Sequence, residues 1–111
     1  MSSKYFTQTI ANGQTDSAGF MTNEDGVRGP MCVLIVAPTF SETITLQVAA
    51  ESGTFATLTT GEPGVDITLQ SGKAKQVMIL NACKIRVHSG TPVAADRAFE
   101  FLWNVTSLNQ R

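Results

Sequence analysis

Apolar residues at every second position, interrupted by turn residues at intervals of about 8 to 12, restrict this chain to sheet. Residues 83–105 show it best. Ile85 and Val87 alternate with Lys84, Arg86 and His88, and Phe99, Phe101 and Trp103 alternate with Glu100 and Asn104. Successive side chains on a strand point to opposite faces, so this spacing builds one apolar and one polar face. A helix needs apolar residues three and four apart; only residues 92–97 leave room for a single helical turn.

The same pattern recurs upstream. Ile44, Leu46 and Val48 alternate with Thr45 and Gln47 in residues 43–49, and Val65, Ile67 and Leu69 alternate after the break Gly61-Glu62-Pro63-Gly64. Residues 4–10, 17–22, 54–60 and 76–80 are further strands, with Asn12-Gly13, residues 23–26, Glu51-Ser52-Gly53 and Ser71-Gly72 as turns. Residues 31–37 form an unbroken apolar run closed by Pro38, which predicts a strand buried on both sides. Eight or nine short strands at this spacing are the signature of an all-β sandwich, jelly roll or barrel. A chain of 111 residues has room for one core, so residues 1–111 form one domain with flexible tails at both ends.

Charged residues make up 15% of the chain, against about 25% in ordinary soluble domains. So few charges imply surface hidden against a partner. The longest apolar run, residues 31–37, is far short of the roughly 18 needed for a membrane-spanning helix. The N-terminus MSSKYFTQTI lacks the apolar core of a secretory leader, so the chain is expected to stay where it is made. A net charge of −1 argues against gripping nucleic acid. Through Asp66, seven acids face Lys4 and Arg28, a net of −5, and beyond it six bases face Asp96 and Glu100, a net of +4. In a sandwich whose halves interleave this asymmetry cancels; otherwise it gives unlike faces that dock on copies of the chain or on a larger assembly.

No constellation carries chemistry. His88 is the single histidine, and Ser89 beside it on a strand points the other way. No nucleophile elbow, phosphate loop, CxxC or HExxH occurs. The carboxylate pairs Glu24–Asp25 and Asp96–Glu100 fall in loops or on an outward face, where nothing raises a pKa toward neutrality. Residues 23–26 lack the alternating spacing of a calcium loop. Cys32 and Cys83, inside apolar runs, are expected to be reduced, buried small hydrophobes, with a disulfide left open. The sequon Asn104-Val105-Thr106 has no meaning without a secretory leader. The row Phe99, Phe101, Trp103 is either core or a stacking platform for sugars or bases. The expectation is therefore a protein without catalytic, cofactor-binding or metal-ligating residues, and not an enzyme. Contacts are expected from the edges of residues 54–60, the terminal segments, and the loops 23–30 and 89–97.

The run from Thr43 to Trp103 carries a T-L-Q strand (residues 45–47) followed by a glycine turn, an I-T-L…G-K step, and R-V-H-S-G-T-P-V-A-A-D-R ahead of an aromatic strand. In these features the chain resembles small all-β virion proteins of tailed bacteriophages, and in length it is similar to the capsid decoration, or staple, proteins of short-tailed phages. The resemblance covers just over half of the chain. It implies an all-β, jelly-roll-like antiparallel β-sandwich of about eight strands on the outside of an assembled head, made in the host cytoplasm and carried on the virion. There, many copies would clamp neighbouring subunits of the major capsid protein and associate with copies of themselves, with no nucleic-acid or membrane partner. It offers no site residue to carry over. The N-terminal third fits a tail or adaptor component equally well, and a carbohydrate-binding sandwich is a further alternative.

Overall fold

The computed structural model describes residues 2–21, 31–50, 53–60, 64–79 and 83–105, with backbone alone at 2–4, 31 and 103–105. Among them are eleven strands and no helix: β1 (Ser2–Ile10), β2 (Phe20–Met21), β3 (Met31–Val36), β4 (Ile44–Ala49), β5 (Phe55–Thr57), β6 (Thr59–Thr60), β7 (Val65–Asp66), β8 (Thr68–Leu69), β9 (Ala74–Ile79), β10 (Lys84–Ser89) and β11 (Arg97–Val105).

Every pairing between these strands is antiparallel. One sheet runs β1-β11-β3-β9; the other runs β2-β10-β4-β5, with β8 also on β4. The chain changes sheets at each step from β1 to β4 and again from β8 to β11. With β5 to β8 counted as one interrupted strand there are eight positions in the two sheets. The all-β, antiparallel sandwich expected from the sequence is the architecture observed.

Each sheet turns one row of side chains into a shared core. Ile10, Val33, Ile35, Val77, Phe99 and Phe101 come from the first sheet, and Phe20, Ile44, Leu46, Leu69, Ile85 and Val87 from the second. Aromatic rings tie the layers together. Phe20 stacks on Phe6 at 4.8 Å and meets Phe101 edge-on at 5.3 Å, the geometries that suit ring quadrupoles. Phe99 and Phe101 are thus core; the side chain of Trp103 lies outside the described residues.

Four expectations need correction. Of the strand expected over residues 17–22, Thr22 lies outside the described residues, and among 17–21 only Phe20–Met21 is strand, with Asp16 bridging to His88. Residues 54–60 split at Leu58, which packs against the core and whose N–H donates to the Leu46 carbonyl at 2.9 Å. That inward step leaves β5 in the second sheet and β6 in a separate hairpin with β7, and it leaves Val65 exposed while Ile67 and Leu69 are buried. Residues 92–97 form no helical turn. Finally, β3 is buried on one side only.

The opposite charges of the two halves meet inside the fold. Asp16 pairs with Arg86 and His88, and Glu42 pairs with Arg97. These acids lie before Asp66 and these bases after it, so for these groups the asymmetry cancels within the chain.

Candidate interaction face

Odd and even residues of β3 have unlike surroundings. Val33 and Ile35 are buried, whereas Cys32 is exposed, Leu34 half-buried and Val36 41% exposed. Register places further apolar groups beside them. Leu34 is opposite Leu102, Leu102 opposite Tyr5, and Cys32 opposite Met78. Tyr5 and Met78 are each 57% exposed and Leu102 is 38% exposed. Four of the five large hydrophobic residues exposed among the described residues therefore share the outer face of the β1-β11-β3-β9 sheet. Antiparallel sheets with one free face ordinarily keep that face polar. Here Glu100, between Thr7 and Val36, is the one charged side chain described in these rows. An apolar patch of this kind marks a surface meant to be covered.

The apolar run 31–37 was the sequence signal for this face. It showed that both sides of the strand are apolar, and among the described residues only one of them is covered. Neither Cys32 nor Cys83 is fully buried, contrary to expectation. Cys32 points outward by strand parity, and Cys83 precedes β10 at the margin of the core.

The outer face of the other sheet is polar and internally satisfied. His88 Nδ1 lies 2.6 Å from Asp16 Oδ1, and Arg86 Nη2 lies 3.4 Å from the same oxygen. The Thr15 hydroxyl donates to Asp16 Oδ2 at 2.9 Å. Arg86 Nε donates to Gln47 Oε1 at 2.8 Å, and its guanidinium sits 3.9 Å over the Phe55 ring. Partial burial pushes the Asp16 carboxyl up, but the hydrogen bonds from His88 and Thr15 and the charge of Arg86 together hold it below its ordinary value. Ser89 is buried on the opposite side, where its hydroxyl donates to the Thr91 carbonyl. The adjacent His88 and Ser89 thus belong to different surfaces. The histidine anchors Asp16 beside β10, a partnership spanning 72 residues that sequence spacing does not reveal.

The loop 89–97, a contact candidate from sequence, is held down at many points. Gly13 N–H donates to the Val93 carbonyl at 2.8 Å and Val93 N–H to that of Gln14 at 3.0 Å, with the Val93 side chain buried. Asp96 accepts from the Asn12 backbone N–H at 2.8 Å. Arg97 donates twice to the Glu42 carboxylate, which also accepts from Ala94 N–H at 3.1 Å. The bond from Arg97, helped by that of Ala94 against the cost of burial, lowers the Glu42 carboxyl to about 2. This clamp presents Thr91, Pro92, Ala94 and Ala95 on a fixed frame.

Asp96 and Glu100 do not form a carboxylate pair: Asp96 caps the Asn12 turn, while Glu100 stands on the apolar face. Glu24–Asp25, residues 23–26, the loop 23–30 and the Asn104 sequon side chains lie outside the described residues. Among the described residues no group of three or more His, Cys, Asp or Glu side chains could hold a metal ion, and no helix is long and apolar enough to cross a membrane. Tyr5 is exposed on a sheet face opposite Leu102, with Thr7 and Glu100 the next pair along the same face.

No family model matches the chain, and no curated protein does. Among solved structures, the Yersinia pseudotuberculosis-derived mitogen is similar over 94% of this chain and 86% of its own, with 9% identity and a TM-score of 0.50. The Bacillus endospore appendages, described as a novel family of disulfide-linked pili, are similar over 95% and 90%, with 9% identity and a TM-score of 0.47. At such identity the mitogen likeness concerns the fold alone, and that fold is all-β.

Proposed function

We propose that this chain is a non-enzymatic structural protein of a phage virion, which decorates the outside of the head and staples neighbouring major capsid subunits. One observation carries the reading: the outer face of the β1-β11-β3-β9 sheet exposes Tyr5, Val36, Met78 and Leu102 around a half-buried Leu34. Four strands at about 4.8 Å spacing make a face about 19 Å wide. That width suits docking on a broad protein surface better than enclosing a small ligand. The phage-protein resemblance of residues 43–103 supplies the identity of the partner.

The energetic logic is mass action. A subunit that binds only the assembled shell shifts assembly toward the closed particle, and many weak contacts on one lattice act together. The pinned 89–97 loop adds a rigid second contact with little ordering cost.

The test is copy number. Quantitative mass spectrometry of purified virions should find this chain in hundreds of copies, in fixed ratio to the major capsid protein. Six or twelve copies would replace the reading with a tail or adaptor component. The exposure of Tyr5 is the one observation that favours a carbohydrate-binding module; protection of its ring on titration with oligosaccharides would move the assignment there.

A further inference from the structure

A slot of about 430 Å³ lies beside β9, lined by Lys75, Gln76, Val77 and Met78 in succession. Consecutive residues of a strand point to opposite faces, so all four can line one cavity only if it runs along the edge of the strand. Residues 58–60 and 65–68 form the opposite wall, again as consecutive stretches. Among the described residues β9 pairs with β3 alone, which leaves the N–H and C=O groups of its other side facing the slot. Ile67 and Val77 are buried and Leu58 is half-buried at its floor, all packed on the core. The strand has no proline, and Lys75, on the same side as Val77, is the one charge that guards its edge against strand addition.

We infer that this slot is a strand-addition site, which takes an extended, uncharged segment of a partner polypeptide bearing an apolar residue at every second position. The segment pairs with residues 75–78 as a fifth strand of the sheet, over about 14 Å, and points its alternate apolar side chains at Leu58, Ile67 and Val77. Lys75 on one wall and Asp66 on the other oppose a segment carrying strong charge of either sign. The hairpin of β6 and β7 closes the far side, so the edge strand of a second copy, with its own sheet behind it, does not fit; a free segment does. The site shares Met78 with the margin of the apolar sheet face but does not depend on the shell-binding reading.

The experiment uses the full chain and a fluorescein-labelled hexapeptide of alternating valine and threonine, with a glutamate–threonine hexapeptide as control. Expected are saturable anisotropy for the first peptide only, slowed amide exchange within residues 75–78, and at least tenfold weaker binding in Thr68→Trp. That substitution fills the slot from an exposed position; Thr60→Trp serves the same purpose if Thr68→Trp does not fold. Leu102→Lys, on the other face, should bind the peptide normally. No saturable binding, equal binding of both peptides, protection confined to other strands, or undiminished binding in a folded slot-filling variant would overturn the inference.

Discussion

Neighbouring residues of β11 should respond very unequally to truncation. Phe101 is fully buried, with Phe6 and Ile35 opposite it in register and the Phe20 ring 5.3 Å away; Leu102 points outward and is 38% exposed. Phe101→Ala removes a whole ring from a close-packed core, which costs about 3–5 kcal/mol, including the aromatic pairing. Leu102→Ala removes a side chain with solvent on one side and costs less than about 1 kcal/mol. In a domain with total stability of about 5–15 kcal/mol the first change is large. At about 4 °C per kcal/mol for this chain length it lowers the melting temperature by about 12–20 °C, against a few degrees for the second. Urea unfolding followed by circular dichroism measures both, with unchanged slope as the check that the transition stays two-state. Equal losses at the two positions, or a loss below 1 kcal/mol at Phe101, would refute the assignment of inner and outer faces.

Glu42 gives a pH signature. Its carboxyl is lowered to about 2 from an ordinary 4.5, so its contribution is fully present above pH 4.5 and is lost as pH falls toward 2. Glu42→Gln should flatten the stability profile in that window, as read by melting temperature from pH 5 to 2. Arg86→Ala loses the contacts to Asp16, Gln47 and Phe55 and should cost about 1–2 kcal/mol in urea unfolding, since exposed ion pairs and cation–π contacts each contribute about 1 kcal/mol or less. Gly13 has φ of +85° with open space around its Cα, so Gly13→Ala should cost about 1–2 kcal/mol from backbone conformation alone. Cys32 should react with a thiol reagent in the native state faster than half-buried Cys83, a ratio that collapses on unfolding.

The strands visible in the sequence were those whose partners did not matter to recognising them. Ile85, Val87, Phe99 and Phe101 alternate strictly, and an antiparallel sheet with a covered inner face requires that spacing wherever its neighbours lie. Leu58 was missed because an apolar residue in a threonine-rich stretch does not announce that the backbone steps inward there. The run 31–37 was misread for a related reason: hydrophobicity on both faces says that both want cover, not that this chain provides it. Asp16–His88 and Glu42–Arg97 join residues 72 and 55 apart, and only the winding of the two sheets brings them together. The slot beside β9 had no linear signal, since it is made of edges rather than of residue types.

The central claim is that the exposed β1-β11-β3-β9 face docks on an assembled shell. It is tested most directly by adding purified protein back to heads stripped of it and measuring the temperature at which the shells open. Wild-type protein should raise that temperature, while Leu102→Lys, folded and equally stable in solution, should not. No gain from the wild-type protein, or an equal gain from Leu102→Lys, would contradict the account.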